Sequence, residues 1–329
     1  MKMKNEVVME MVKKQISLTD LPGVGSATAE KLTEAGFDSL MALAVATPAA
    51  VAETAGVSEA VARKIINTAR NSLDMGFESG TDLLEKRRQV EKISSGSKAF
   101  DAMIGGGIET GAITECYGAY GSGKTSLAHQ FAVNVQLPKE QGGAEGIAVW
   151  IDTEGTLRPE YMKPIAVAKG MDPDEALKNF RGVRAFNSDH QMLLAEKVED
   201  LIKKDKLPVK LIIIDSLMGH FRSEFTGRGT LADRQQKLNK HLHVLLRLAT
   251  QHNLAIYITN QVMSKPDTFF GDPTEAIGGH VVAHTSTVRI YLRRGKKGTR
   301  VAKLVDAPAL PDAEAAFIVT NDGIKDVDA

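Results

Sequence analysis

Gly118-Ala119-Tyr120-Gly121-Ser122-Gly123-Lys124-Thr125 fits the pattern G-x-x-x-x-G-K-[ST] at every position. Before it, Ala112-Ile113-Thr114-Glu115-Cys116-Tyr117 reads as a strand; after it, Ser126-Leu127-Ala128-His129-Gln130-Phe131-Ala132-Val133 has helical periodicity. Strand, glycine-rich loop and helix in that order turn a pattern into a mechanism. Glycines let successive backbone N–H groups close on phosphate oxygens, and the helix turns its positive end to the same anion. Lys124 then reaches the β- and γ-phosphates, and the Thr125 hydroxyl ligates Mg²⁺. A glycine turn with a chance lysine would lack these flanks. The segment is read as a site for a nucleoside triphosphate.

The whole chain of 329 residues is long enough for about two domains. Charged residues are 25% and hydrophobic residues 43%, an ordinary globular balance, and the formal net charge is zero. Any nucleic-acid contact must therefore come from local patches. The single cysteine, Cys116, excludes an internal disulfide and suits a reducing compartment as a core residue of its strand. Met1 to Gln15 mixes lysine and glutamate without the apolar stretch of a signal peptide, and no apolar run reaches membrane-spanning length. A cytoplasmic protein is expected.

Residues 1–16 read as a flexible tail. Residues 17–73 are alanine-rich and helical in pattern, broken at glycine and proline. Thr47-Pro48 is a helix start, with the hydroxyl at the N-cap and proline at the first helical position; Ser58 caps another helix running to Arg70. Leu21-Pro22-Gly23-Val24-Gly25, with Ala29 and Leu32, fits a helix-hairpin-helix, in which Gly23 and Gly25 expose backbone N–H groups to a phosphate. An ordinary αα-hairpin turn has similar residues. Arg63, Lys64 and Arg70 are either a basic surface for DNA or a solvated face. Residues 74–92, with Gly76 to Gly80 and then Glu85-Lys86-Arg87-Arg88, look like a linker.

From residue 93 to 329 strands and helices alternate. Gly146 to Asp152, Val209 to Asp215 and Leu254 to Asn260 are apolar runs of strand length, which predicts a mostly parallel sheet covered on both faces. Thr287 to Leu292 and Arg300 to Val305 flank Gly295-Lys296-Lys297-Gly298, a hairpin that ends the sheet in antiparallel strands. Ligands sit at the carboxyl ends of such strands. Asp215 closes Leu211-Ile212-Ile213-Ile214 as a Walker B carboxylate does, to hold Mg²⁺, although a buried strand followed by an N-cap aspartate reads alike. Glu154, in Asp152-Thr153-Glu154-Gly155, is the candidate for orienting the attacking water. Asn260-Gln261 ends the third strand, where an amide can sense the γ-phosphate. His280 and His284, spaced i, i+4, lack the third ligand of a zinc site.

These motifs together resemble the RecA-type strand-exchange family, and within it the archaeal RadA branch. The resemblance rests on the phosphate loop, on Trp150-Ile151-Asp152-Thr153-Glu154-Gly155-Thr156-Leu157-Arg158-Pro159-Glu160, and on Ser188-Asp189-His190-Gln191. It continues in Gly227-Arg228-Gly229-Thr230-Leu231-Ala232-Asp233-Arg234-Gln235-Gln236, Thr259-Asn260-Gln261-Val262 and Ile277-Gly278-Gly279-His280. It implies a RecA-like α/β core behind a small all-α helix-hairpin-helix domain, with ATP and Mg²⁺ as cofactors. Glu154 matches the family's catalytic glutamate, Gln261 its γ-phosphate-sensing glutamine and Arg158 an arginine that packs on adenine. His284 matches a histidine that contacts the γ-phosphate across a subunit boundary. Asp306-Ala307-Pro308-Ala309-Leu310-Pro311 matches the segment that caps a neighbour's ATP, and Phe77 the aromatic that plugs into the adjacent core. Gly80 stands where the better-known form of that plug has alanine.

Two further segments read as mobile loops. One, from about His220 to Arg234, carries Arg222, Arg228 and Arg234; the other, from about Val262 to Gly279, carries Lys265-Pro266, Phe269-Phe270 and Gly278-Gly279. The second is too long and turn-rich for an ordinary connection. In the family these positions match the two DNA-binding loops facing a filament axis, where arginines hold phosphates. Arg289 to Lys303 has no acidic residue and is either a guide for duplex DNA or a solvated hairpin. The resemblance thus implies an ATP-dependent recombinase that polymerises on single-stranded DNA and pairs it with double-stranded DNA. A ring helicase and a recombination mediator are the rival readings of the same residues.

Overall fold

The computed structural model describes residues 17–37, 39–72, 79–264 and 274–327, and the chain divides into two units, 1–85 and 86–329. The expected N-terminal tail and Phe77 lie outside the described residues.

The first unit is all helical: α1 (Ser26–Glu34), α2 (Leu40–Ala44), α3 (Pro48–Ala55) and α4 (Glu59–Ser72). Each start is chemically marked. The Ser39 and Thr47 side chains accept from Ala42 N and Ala50 N, and Pro48 takes the first position of α3, where its missing N–H costs nothing. Leu32, Leu43, Val51, Ile65 and Ile66 are buried at helical spacing and form the unit's core. Each contributes on the order of 2 kcal/mol of burial. The stretch read as a linker contains a helix, α5 (Gly80–Arg88). Ser79 and Asp82 bond reciprocally at its start, Asp82 N to Ser79 Oγ at 3.2 Å and Ser79 N to Asp82 Oδ2 at 3.3 Å. That capping box and a run of good helix formers account for the helix.

The second unit opens with β1 (Lys92–Ile93), α6 (Lys98–Met103), β2 (Ile108–Glu109), β3 (Ile113–Gly118) and α7 (Lys124–Asn134). It continues through β4 (Ile147–Asp152), α8 (Met162–Ala168), α9 (Pro173–Lys178), β5 (Phe180–Arg184), α10 (Ser188–Lys203) and β6 (Val209–Asp215). Then come α11 (Gly219–Glu224), α12 (Leu231–His252), β7 (Ala255–Asn260), β8 (Val262–Ser264), β9 (Thr274–Ala276) and α13 (Gly279–Thr285). The unit closes with β10 (Val288–Arg294), β11 (Arg300–Asp306), β12 (Glu314–Thr320) and β13 (Gly323–Asp326).

One nine-stranded sheet, ordered β13-β12-β11-β10-β3-β7-β6-β4-β5, organises this unit. The pairs from β10 to β5 are parallel, and β10 through β13 pair antiparallel, the predicted antiparallel end included. Along β6, Leu211 and Ile213 point to the face covered by α7, while Ile212 and Ile214 point to the face covered by α12. A strand buried on both faces needs apolar residues at every position, which is why it reads as a continuous apolar run.

Both expected loops carry regular structure. The first is largely helical, α11 and the start of α12, separated by a short break at Phe225–Thr230, because Leu231-Ala232-Asp233-Arg234-Gln235-Gln236 is made of helix formers. The second begins and ends in a two-stranded antiparallel ribbon, β8 with β9. Residues 265–273, with Lys265, Pro266, Phe269 and Phe270, lie outside the described residues.

Candidate active site

The glycine-rich loop leaves the carboxyl end of β3, which the fold places between β7 and β10. Gly118 is dictated by packing: a Cβ there would stand 2.1 Å from the Leu292 carbonyl oxygen of β10. Gly123, at φ +107°, is the N-cap of α7, a conformation that favours glycine. Ala119, Tyr120, Gly121, Gly123, Lys124 and Thr125 line a cavity of about 580 Å³ together with Glu154, Thr156, Asp215, Ser216, Gln261 and Arg300. Gly118 also lines it; Ser122 is buried behind the loop.

Lys124 Nζ donates to the carbonyls of Gly118 at 2.9 Å and Ala119 at 3.1 Å. Burial holds its ammonium below the usual lysine range, against the pull of Asp215 and Glu154. A desolvated cation folded onto its own loop is poised to exchange those carbonyls for phosphate oxygens. Thr125 Oγ1 donates to Asp215 Oδ2 at 2.8 Å, and Thr156 Oγ1 to the same oxygen at 3.1 Å. Thr259 donates to Asp215 Oδ1. Burial pushes the Asp215 carboxyl above the usual carboxylate range, while these hydroxyls pull the other way. The partners of this buried carboxylate are hydroxyls. An all-oxygen set of this kind fits a hard divalent cation that arrives with a nucleotide. Among the described residues no group of three or more His, Cys, Asp or Glu forms a metal cage of its own.

Asp152 shapes the neighbouring turn. Its Oδ1 accepts from the backbone N–H of Glu154 at 3.1 Å, Gly155 at 2.7 Å and Thr156 at 3.2 Å, and its Oδ2 from Leu157 at 3.3 Å. The turn aims Glu154 across the cavity, where Glu154 Oε1 accepts from Gln261 Nε2 at 2.8 Å and Ser216 Oγ at 2.5 Å. Asn260, the other amide at the end of β7, turns away from the cavity. Its side chain is buried, donating to Glu115 Oε1 at 2.9 Å and Ile277 O at 2.5 Å, so only Gln261 of the pair faces the cavity. Gln261 is the first residue beyond β7, and its side chain leaves the chain on the side away from that of Asn260.

A second cavity, about 420 Å³, adjoins the first. Glu154, Ser216 and Gln261 line both, and Arg222 and His220 of α11 line only the second. Arg222 is thus brought to the far side of the wall that carries Glu154. Arg234 lies half-buried in the first turn of α12, and the side chain of Arg228 lies outside the described residues. Gly278 and Gly279 open α13, and the Gly278 carbonyl accepts from Gln235 of α12 at 3.4 Å. In the first unit, Gly23 lies in the turn before α1, where Val24 N donates to Leu21 O at 3.0 Å, and Gly25 is the N-cap. A second glycine turn, at Gly56, ends α3 ahead of α4; sequence reading took only Ser58 from it.

Arg158, His284, Asp306 and Pro311 do not line the loop cavity of their own chain. The Arg158 guanidinium donates to Gly155 O at 2.9 Å and Leu157 O at 2.8 Å. His284 is exposed on α13, stacked on His280 at 5.8 Å; Asp306 and Pro311 are exposed at and after the end of β11. The basic stretch Arg289 to Lys303 is not one surface. Arg289 Nε donates to the fully buried Glu115 at 2.7 Å, Arg294 Nε reaches Gly121 O at 3.3 Å, and Arg300 lines the loop cavity. Arg289 and Arg300 are half-buried while Arg294 is exposed, a division that no charge pattern reveals. Ser216, Thr156, Thr259 and Asp152 also line or shape the cavity without having been singled out in the sequence; their signal was position alone, at the carboxyl ends of strands or in the turn that follows.

Residues 86–327, well over half of the chain, match the family profile described as Rad51, and residues 16–71 match one described as a SAM-like helix-hairpin-helix tandem. The chain belongs to the Rad51 family. It is a RecA-type DNA recombinase, and the family comprises DNA-dependent ATPases that use a divalent metal, bind DNA and form filaments. In this Rad51-family chain the catalytic fold carries its phosphate loop, Asp215, Glu154 and Gln261 on four adjacent strands, β3, β7, β6 and β4. Among the described residues no helix is long and apolar enough to cross a membrane.

Proposed function

We propose that this chain catalyses homologous pairing and strand exchange as a recombinase of the RadA branch, in a helical filament on single-stranded DNA whose ATP sites lie between protomers. The observation that carries the reading is the convergence of Lys124, Thr125, Asp215, Glu154 and Gln261 on one cavity. In this reading Lys124 and the loop N–H groups bind the triphosphate, and Thr125 and Asp215 hold Mg²⁺. Mg²⁺, when bound, neutralises charge developing on the β- and γ-phosphates. Glu154 orients water toward the γ-phosphate, and Gln261 reports that phosphate to the ribbon β8–β9.

Arg158 packs on the base. His284, Asp306 and Pro311, exposed and away from the cavity of their own chain, serve the site of the neighbouring protomer, and Phe77 anchors that neighbour. Gly23 and Gly25 hold DNA phosphate through backbone N–H groups; Arg222, Arg228, Arg234, Gly278 and Gly279 contact DNA from the segments flanking the second cavity. Specificity arises from base pairing between DNA strands, so base-edge contacts from protein are not required.

Electron microscopy with single-stranded DNA and a non-hydrolysable ATP analogue, paired with a joint-molecule assay on homologous duplex, tests the reading. Extended filaments and joint molecules that both depend on the nucleotide are expected. Closed rings with unwinding of a forked duplex, or a polymer indifferent to ATP, ADP or no nucleotide, would overturn it.

A further inference from the structure

Two donors converge on a single oxygen of Glu154, and they are held in very different ways. Ser216 Oγ donates to Oε1 at 2.5 Å and Gln261 Nε2 to the same atom at 2.8 Å. Ser216 is 2% exposed. Its N–H donates to Thr153 Oγ1 at 2.8 Å, and its carbonyl accepts from that same hydroxyl at 2.8 Å. Thr153 is itself buried, and its N–H donates to the Asp215 carbonyl at 2.9 Å. The end of β6 and the turn after β4 are thereby pinned together on either side of Ser216. Gln261 is exposed, and its side chain is free to change rotamer at little cost.

Glu154 is exposed as well. Left to itself, an exposed glutamate samples many rotamers, and only a fraction of them face the cavity. Of its two donors, only the buried serine is fixed by bonds that involve neither a nucleotide nor a mobile side chain. With both donors on Oε1, the lone pairs of Oε2 remain available.

We infer that Ser216 is a positioning residue: it anchors Glu154 through Oε1, keeping Oε2 presented to the attacking water after Gln261 leaves for another partner. The inference rests on the reading of Glu154 as the water-orienting carboxylate. It gives the two donors separate tasks. Gln261 is the removable contact that responds to the site's contents, and Ser216 is the permanent one. Because Glu154, Ser216 and Gln261 line both cavities, the anchored carboxylate also forms the wall between the nucleotide and Arg222.

The test compares Ser216→Ala, Ser216→Thr, Gln261→Ala and the double variant S216A/Q261A in the full-length protein, with Glu154→Gln alongside. Three quantities are read: DNA-stimulated ATP turnover, dissociation constants for a fluorescent ADP, and hydrogen exchange over residues 153–157 without nucleotide. S216A is expected to lower kcat about tenfold or more, the scale of a mispositioned general base, with KM and ADP affinity within about twofold. Exchange over 153–157 is expected to stay unchanged, because those amides are held by Asp152 and the Asp215 carbonyl and not by the Ser216 hydroxyl. S216T is expected to recover most of the turnover, and the S216A and Q261A losses to be non-additive, as for groups sharing one partner. Turnover in S216A equal to that of the unsubstituted protein, while E154Q is inactive, would overturn the role of Ser216 and leave that of Glu154 standing, and so would a kcat loss accompanied by a severalfold rise in exchange. A kcat loss matched by an equal loss of ADP affinity would also overturn it, as the mark of a merely structural serine. Full turnover in E154Q would instead remove the reading on which the inference rests.

Discussion

Glu154 of the β4 turn and Gln261 at the end of β7 are joined by a direct hydrogen bond, Gln261 Nε2 to Glu154 Oε1 at 2.8 Å, although 107 positions separate them in the chain. The bond links the residue assigned to water with the residue assigned to the γ-phosphate, without any intervening group.

Glu154→Gln tests the first of these assignments. The amide nearly preserves shape but cannot take up a proton, so ATP turnover is expected to fall by about 10²–10⁴. Binding of a fluorescent ADP should stay within a few-fold, because the phosphate loop is untouched. Steady-state turnover and equilibrium titration check the two halves separately.

Lys124→Ala should behave in the opposite way. It removes the cation that now rests on Gly118 O and Ala119 O, so nucleotide affinity itself is expected to fall. A variant that bound ATP and turned it over normally would contradict the assignment. Titration with fluorescent ADP and ATP measures it.

Glu115→Gln is expected to weaken the fold rather than the chemistry alone. Glu115 is fully buried, with Arg289 Nε at 2.7 Å and Asn260 Nδ2 at 2.9 Å. Losing its charge leaves the Arg289 guanidinium, 15% exposed, without its counter-ion. Breaking a buried pair from one side costs about 3–5 kcal/mol. The midpoint of the urea unfolding transition of the α/β unit should drop accordingly.

His241 sets a pH dependence. It is fully buried against Phe221, and Gln191 Nε2, which can only donate, lies 3.2 Å from its Nε2. Burial lowers its pKa to about 4, below the ordinary value of 6.5. The unfolded chain therefore binds the proton first as pH falls. The stabilising effect of the neutral ring is complete above about pH 6.5 and is lost between there and about pH 4, on the order of 3 kcal/mol in all. His241→Gln should flatten stability against pH in that window, read from thermal unfolding at a series of pH values.

The class of the fold and the heart of the site were legible before any coordinates, because their signals are local. The phosphate loop needs its glycines and its lysine in sequence, and buried parallel strands need unbroken apolar runs ending in polar residues. The segment from His220 to Arg234 shows where such reading fails. Glycine and arginine near Gly227 suggested one open loop, yet helix formers on either side extend α11 and α12 into it. Asn260 and Gln261 show what neighbours in sequence leave open: one side chain is buried against Glu115 and the other meets Glu154.

By itself the sequence determined the glycine-rich loop and the two-part architecture, and it put forward Lys124, Asp215, Glu154 and Gln261 as candidates, since each is announced by its immediate neighbours along the chain. Only the tertiary structure decided that Ser216 and Gln261 meet on one oxygen of Glu154, that Asp152 holds the turn beneath it, and that Arg289 belongs to the core rather than to a basic surface. Those relations are set by strand order and side-chain direction, which bring together groups far apart in the chain and leave no mark at any single position.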